Sequence, residues 1–293
     1  MDLLARLKEG KVLVSDGAWG TEFAKKGLTA GSDCPELYNV DSPDAVLGIA
    51  SSYVEAGSDM ILANTFGGNT FTLTKYGVDE RLEELNEAGV RLSKQVAGDS
   101  VGVLGSIGPC GEFLVPLGLI SEEDMTEAFA RQIRAFVKGG SDVVLVETMT
   151  DLGEIGCAVR AAKENSDLPI IVSMTYDKGL KGYATMMGVT PPAAVEALTA
   201  MGVDVIGSNC GAGMDNIIEI AGLIRPETDK PLWFKPNAGL PELVKGETVY
   251  RETPEEFAAK APLLIAAGAN IVGGCCGTTP DHIRALRGVV DGM

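Results

Sequence analysis

Short apolar, β-branched runs recur along the chain, each closed by a glycine or polar break and followed by a helical stretch. Eight runs fit the pattern: Lys11–Asp16, Asp59–Asn64, Val101–Gly105, Asp142–Glu147, Pro169–Thr175, Val203–Asn209, Pro231–Asn237 and Asn270–Gly274. They are continuously apolar rather than alternating, as parallel strands buried on both faces should be. Their starts lie 27 to 48 residues apart, so a helix fits between each pair. Helix starts are legible too. Ser42-Pro43 precedes DAVLGIASSYVEAG, and Ser121 with Asp124 has capping-box spacing before a long amphipathic run. Thr253-Pro254 opens EEFAAKAPLLIAAG, read as one helix, and Thr279-Pro280 opens DHIRALRGVV. Several of these stretches end at glycine, as a C-terminal cap should.

Eight strand–helix units in about 250 residues predict an α/β chain folded as a (β/α)8 TIM barrel. An open doubly wound sheet is the competitor. It calls for a G-x-G-x-x-G turn after the first strand, and DGAWGTE is not one. No linker or low-complexity tract divides residues 1–293, so a single domain is expected. The segment Gly17–Asp41 is long for a strand-to-helix loop and is expected to cover or build the site.

The net charge of −17 opposes a nucleic-acid or anionic-membrane partner. No run of eighteen apolar residues is free of breaks, and MDLLARLKEG carries charges where a signal peptide needs an apolar core. A cytoplasmic protein is expected. Six cysteines in 293 residues make no disulfide scaffold. Adjacent thiols such as Cys275 and Cys276 bond each other rarely and invite a metal reading.

In such a barrel the chemistry sits at the C-terminal ends of the strands. Those ends carry Asp16-Gly17, Asn64-Thr65-Phe66, Ser106, Glu147-Thr148, Thr175, Asn209-Cys210, Asn237 and Cys275-Cys276. Solvent at strand ends accounts for Ser106 and Thr175. It accounts poorly for three cysteines after the sixth and eighth strands, which are near neighbours around a ring of eight. Small buried core residues are one reading of them. Three thiolates converging on a catalytic Zn2+ with one open position is the other. Such an electron-rich zinc is a poor generator of hydroxide. A fourth ligand that is itself a thiol would ionise near neutral pH and stay nucleophilic, which suits alkyl transfer to sulfur.

The segments LVSDGAWGTEF, ANTFGGN, VETMTD, GSNCGAG, KPNAGLP and GGCCGTTPDHI run nearly end to end. The chain that carries them resembles the homocysteine S-methyltransferase family, which includes the homocysteine-binding module of cobalamin-dependent methionine synthase and betaine–homocysteine methyltransferase. The resemblance implies a zinc (β/α)8 barrel in which Cys210, Cys275 and Cys276 bind the metal. It implies that the Asn237 side-chain oxygen fills the fourth position before substrate arrives. Asp16 and Glu147 resemble acidic residues near the amino-acid end of homocysteine, where a carboxylate can pair with an ammonium. The backbone around Gly17-Ala18 and Asn64-Thr65-Phe66 could donate N–H groups to the substrate carboxylate.

The chain also departs from its relatives. Lys235 stands where the methionine synthase module usually has an acidic residue, and Ala184–Val189, with Met186 and Met187, replaces a more polar stretch. A cation and two thioethers near the mouth would suit a different substrate. Cys110 is read as packing, and His282, the single histidine, as surface or helix cap.

The leading expectation is a zinc-dependent methyltransferase acting on a small-molecule methyl donor and a thiol acceptor, homocysteine to methionine. With little sequence after the barrel, the donor is expected to be a small molecule or a methyl carried by a separate protein. The alternative is the methyltransferase component of a corrinoid-dependent demethylase. It would use zinc to activate a methyl ether, thioether or methylamine and pass the methyl to a separate corrinoid protein. A zinc-storage or redox-sensing barrel needs no pocket carboxylates, and phosphate binding at Gly273–Thr279 needs no paired thiols.

Overall fold

The computed structural model describes residues 2–27, 33–244 and 247–293. Eight strands form one parallel sheet: β1 Leu13–Val14, β2 Met60–Leu62, β3 Gly102–Ile107, β4 Val143–Met149, β5 Ile170–Met174, β6 Val205–Gly213, β7 Leu232–Asn237 and β8 Ile271–Val272. Each strand pairs with its neighbour in sequence, and β8 pairs back onto β1. A parallel bridge from Ser15 to Met60, with Asp59 N–H donating to the Val14 carbonyl at 2.7 Å, closes the ring between β1 and β2. The sheet is a closed (β/α)8 barrel in a single domain, and the open-sheet alternative is excluded.

Burial explains the apolar runs. Every residue of β1, β2, β3, β5, β7 and β8 is buried, packed between the barrel interior and the surrounding helices. The helices are amphipathic and capped largely where expected. Ser121 accepts the Asp124 N–H at 3.0 Å, and the helix Glu122–Gly139 ends at Gly140 in the left-handed region (φ 86°). Thr253 and Glu256 form a full capping box. Ser42 sits at the cap position of Pro43–Glu55 without a side-chain bond. The stretch read as one helix after Thr253 is two, Pro254–Ala259 and Ala261–Ala266. Pro262 has no N–H to donate and its ring clashes with the preceding turn, so the helix restarts there.

β6 and β7 approach closely at Gly207. A Cβ at this position would lie 1.9 Å from the Trp233 carbonyl oxygen. Backbone cannot swing aside as a side chain can, so Gly207→Ala is expected to fall at the upper end of overpacking costs. That is about 3 kcal/mol, or a drop in Tm of roughly 6–12 °C by differential scanning calorimetry. A Tm within a degree of the parent would contradict this packing.

Two antiparallel hairpins follow strand ends: Asp177–Gly179 with Gly182–Ala184 after β5, and Glu242–Val244 with Glu247–Val249 after β7. Met186, just beyond the first hairpin, is 76 % exposed. No helix among the described residues is long and apolar enough to cross a membrane.

Candidate active site

The C-terminal ends of the strands surround a cavity of about 380 Å3. Two breaks in ladder register shape it. β4 slips against β5 between Val146 and Met149, and β6 slips against β7 between Asn209 and Gly213. Thr148 (φ 63°) and Cys210 (φ 61°) lie within these breaks and are the two non-glycine residues described with a left-handed backbone. Such strain persists only where its surroundings hold it, and it concentrates at functional sites.

Asn209 holds this one. It is fully buried, and its Oδ1 accepts the Thr148 N–H at 3.0 Å and the Ser173 hydroxyl at 2.6 Å. Its Nδ2 donates to Thr148 Oγ1 at 2.8 Å, to Glu147 Oε2 at 3.3 Å and to Cys275 Sγ at 3.8 Å. One amide therefore joins the carboxylate on β4 to the thiol after β8.

Glu147 lines the cavity and is 4 % exposed, with its Oε1 accepting the Ser106 hydroxyl at 2.6 Å. Burial pushes its carboxyl up, against the opposing pull of the Lys235 ammonium. Lys235 also lines the cavity, but it lies beneath the mouth rather than at it, 2 % exposed. Its Nζ donates to Asp16 Oδ1 at 2.7 Å and sits 5.6 Å from the Trp233 ring centre. Burial opposes its charge, and the carboxylates of Asp16 and Glu147 outweigh that and hold it protonated. Asp16 is fully buried and is absent from the cavity wall.

The three cysteines meet as their spacing suggested. Sγ of Cys210, Cys275 and Cys276 all lie within 4.8 Å of one another, and Cys210 and Cys276 are 3.9 Å apart. All three line the cavity as free thiols. Their bonds to one another and their burial push Cys210 up to about 12 and Cys276 up to about 11. Asn237 is held beside them by backbone. The Cys275 N–H donates to the Pro236 carbonyl at 2.7 Å, and the Ala238 N–H donates to the Cys276 carbonyl at 3.0 Å. Its side-chain Oδ1 is buried and accepts no hydrogen bond. A buried carbonyl left so costs about 1–3 kcal/mol, and a cation would satisfy it. Three crowded sulfurs with an orphaned oxygen on the adjoining strand fit a soft divalent cation with tetrahedral preference.

The remaining expected residues divide. Gly17, Ala18, Asn64, Thr65 and Phe66 all line the cavity, Phe66 being 42 % exposed. Two of the backbone donors expected there are engaged internally: Ala18 N–H to Thr278 Oγ1 at 3.2 Å and Thr65 N–H to the Ala63 carbonyl at 2.9 Å. The Asn64 side chain ties the long first loop down, donating to the Pro35 carbonyl and to Asn39 Oδ1. That loop contributes Trp19, Thr21, Phe23 and Glu36 to the wall, while residues 28–32 within it lie outside the described residues. Met186 and Met187 do not line the cavity; beyond the hairpin after β5, Met186 is exposed and Met187 half-buried. Cys110 is buried in the core. His282 caps the last helix, its Nδ1 bonded to the Thr279 N–H at 3.2 Å, but it is buried rather than on the surface.

Sequence reasoning missed Ser106, Ser173, Asn209 and Trp19 as parts of the site. The signal available for the first three was their position at strand ends, shared with many solvent-facing residues.

Comparisons with known proteins give the family. The methionine synthases of Mycobacterium leprae and Mycobacterium tuberculosis are each 34 % identical, over 306 and 307 residues, covering 99 % of this chain. The chain spans about a quarter of the length of these relatives. The homocysteine methyltransferase MmuM from Escherichia coli, in its metallated form, superposes with a TM-score of 0.81 at 23 % identity. That match covers 98 % of this chain and 99 % of that one, and shows the shared fold. Residues 13–290 match the family profile described as homocysteine S-methyltransferase. By that match over nearly its whole length, the chain belongs to the homocysteine S-methyltransferase family.

Proposed function

We propose that this barrel transfers a methyl group to a thiol bound at a zinc site formed by Cys210, Cys275 and Cys276, with homocysteine as acceptor. The observation that carries the reading is that three sulfurs within 4.8 Å of one another and the buried carboxylate of Glu147 line one cavity. Bound zinc supplies the positive charge that lets a ligating substrate thiol ionise near neutral pH while it stays nucleophilic.

The chain's own residues do the rest. Cys210, Cys275 and Cys276 would hold the metal, and Asn237 would offer its unpartnered oxygen as a further donor. Glu147 keeps unused lone pairs beyond its bonds to Ser106 and Asn209 and takes the substrate ammonium. Asn209 fixes the distance between that carboxylate and Cys275. Gly17, Ala18, Asn64, Thr65 and Phe66 enclose the amino-acid end, Asp16 anchors the floor, and Lys235 sets its charge. Attack by sulfur on an electrophilic methyl needs no general base at carbon, which suits a site whose chain has one histidine, committed to a helix cap.

The demethylase reading, with a separate corrinoid protein taking the methyl, is favoured by one observation: the Lys235 ammonium already occupies Asp16. The two readings separate in one assay. Zinc-loaded protein is incubated with homocysteine and each of S-methylmethionine, betaine and a methylated corrinoid, and methionine is measured. Methionine from at least one donor is expected. None from any donor, together with methyl transfer from an ether, thioether or methylamine to a corrinoid, would overturn thiol methylation in favour of the alternative.

A further inference from the structure

The two strand-end carboxylates bonded to or facing Lys235, Asp16 behind the cavity wall and Glu147 in it, are not equally available. Asp16 accepts four hydrogen bonds: Lys235 Nζ at 2.7 Å and Ser15 Oγ at 3.2 Å on Oδ1, and Trp19 Nε1 and the Leu62 N–H, both at 2.8 Å, on Oδ2. A carboxylate has about four lone-pair sites, so Asp16 is saturated from within the chain. Glu147 accepts two bonds and keeps capacity for more. The pair Lys235–Asp16 is enclosed, with side-chain exposures of 3 % and 0 %, yet Lys235 forms part of the cavity wall. An internal ammonium therefore sits where a substrate ammonium would have to sit to reach Asp16.

We propose that Lys235 is a specificity-determining residue: its ammonium replaces that of an amino-acid substrate at Asp16, so Asp16 does not read an acceptor's amine and the cavity admits thiols that carry no amine. The inference rests on the cavity being the acceptor site.

Lys235→Ala vacates the internal ammonium and its stem, leaving Asp16 short of one donor. The test compares homocysteine with 4-mercaptobutyrate, the same thiol without its amine, by calorimetric titration of zinc-loaded protein. The parent is expected to separate the two by less than about tenfold, and Lys235→Ala to widen that preference for homocysteine by tenfold or more. An unchanged ratio in a folded variant would overturn the proposal. A second readout does not depend on thiol binding. Propylammonium should raise the Tm of Lys235→Ala by about 3 °C or more, propanol should not, and the double variant Asp16→Asn/Lys235→Ala should respond to neither. If neither thiol binds to any zinc-loaded form, the acceptor reading fails, and the amine response then decides the role of Lys235: rescue supports it and no rescue overturns it. Should Lys235→Ala not fold, Lys235→Gln keeps a donor on Asp16 while removing the ammonium, and the same widening of the thiol ratio is expected of it.

Discussion

Cys275→Ala is expected to abolish metal retention and methyl transfer together while the barrel stays folded. Removing one of three sulfurs from a cluster whose members all lie within 4.8 Å leaves two thiols and the Asn237 oxygen, a poor set for a soft cation. Partners outside a metal's own ligands already cost about 10- to 100-fold in affinity when removed, so loss of a ligand should exceed about 100-fold. The fold should survive because its core is the continuous apolar interior of β1 to β8 and the helices around it, to which the cysteine cluster adds little. A stability loss of about 1 kcal/mol in the metal-free protein is expected, a few degrees of Tm. Metal content by plasma mass spectrometry after dialysis under reducing conditions checks the first part. Cys157→Ala, buried elsewhere in the core and outside the cluster, should keep its metal and serves as the control. A Cys275→Ala protein that retains stoichiometric zinc and full turnover would remove this cysteine from the ligand set.

The fold was legible in eight apolar runs because strands buried on both faces leave no room for polar residues, so composition alone marks them. Their lengths were less so. β1 and β8 are two residues each, shorter than their runs, because beyond Val14 and Val272 the bonds to the adjoining strands lose regular pairing. The Gly274 N–H donates to the Asp16 carbonyl and the Leu62 N–H to the Asp16 side chain. β6 is longer than its apolar run because the chain re-pairs at Gly213 with Asn237 after the slip at Cys210, and a glycine-rich stretch reads as a turn. The strands of the two hairpins are three residues each, too short for an apolar run to give them away.

The site divides in the same way. Cys210, Cys275 and Cys276 were legible because thiols at two strand ends are rare, and barrel closure brings those ends together. The fate of Asp16 was not, since saturation by Trp19, Leu62, Ser15 and Lys235 depends on contacts across as many as 219 positions of sequence. Nor was Asn209. An asparagine beside a cysteine carries no mark of its own, and its bonds to Thr148, Ser173 and Glu147 exist only because β4 and β6 both break register at the same level of the barrel.

Glu147→Gln is expected to separate acceptor recognition from metal binding. The substitution removes charge while keeping shape. A glutamine oxygen can still accept the Ser106 hydroxyl, and Asn209, which loses an acceptor 3.3 Å away, keeps its bond to Thr148 Oγ1 at 2.8 Å. The cysteine cluster, carried by β6 and the turn after β8, should therefore bind zinc with its parental stoichiometry. Truncating a buried charge pair costs about 2–5 kcal/mol, so homocysteine should bind roughly 30- to 4,000-fold more weakly. Asp16, saturated from within the chain, does not compensate. 4-Mercaptobutyrate, which has no ammonium to lose, should change by less than about threefold in the same titration. The decisive readout is the metal itself, followed by cobalt substitution or by zinc-edge absorption as homocysteine is added. In the parent a fourth sulfur should enter the coordination sphere at saturation. In Glu147→Gln the same change should appear only at the higher homocysteine concentrations that the weakened binding dictates. Equal affinities in parent and variant would remove Glu147 from acceptor recognition. No change of the metal site in the parent at saturating homocysteine would transfer the assignment to the demethylase, whose substrate brings its methyl on oxygen, sulfur or nitrogen and whose acceptor is a corrinoid cobalt.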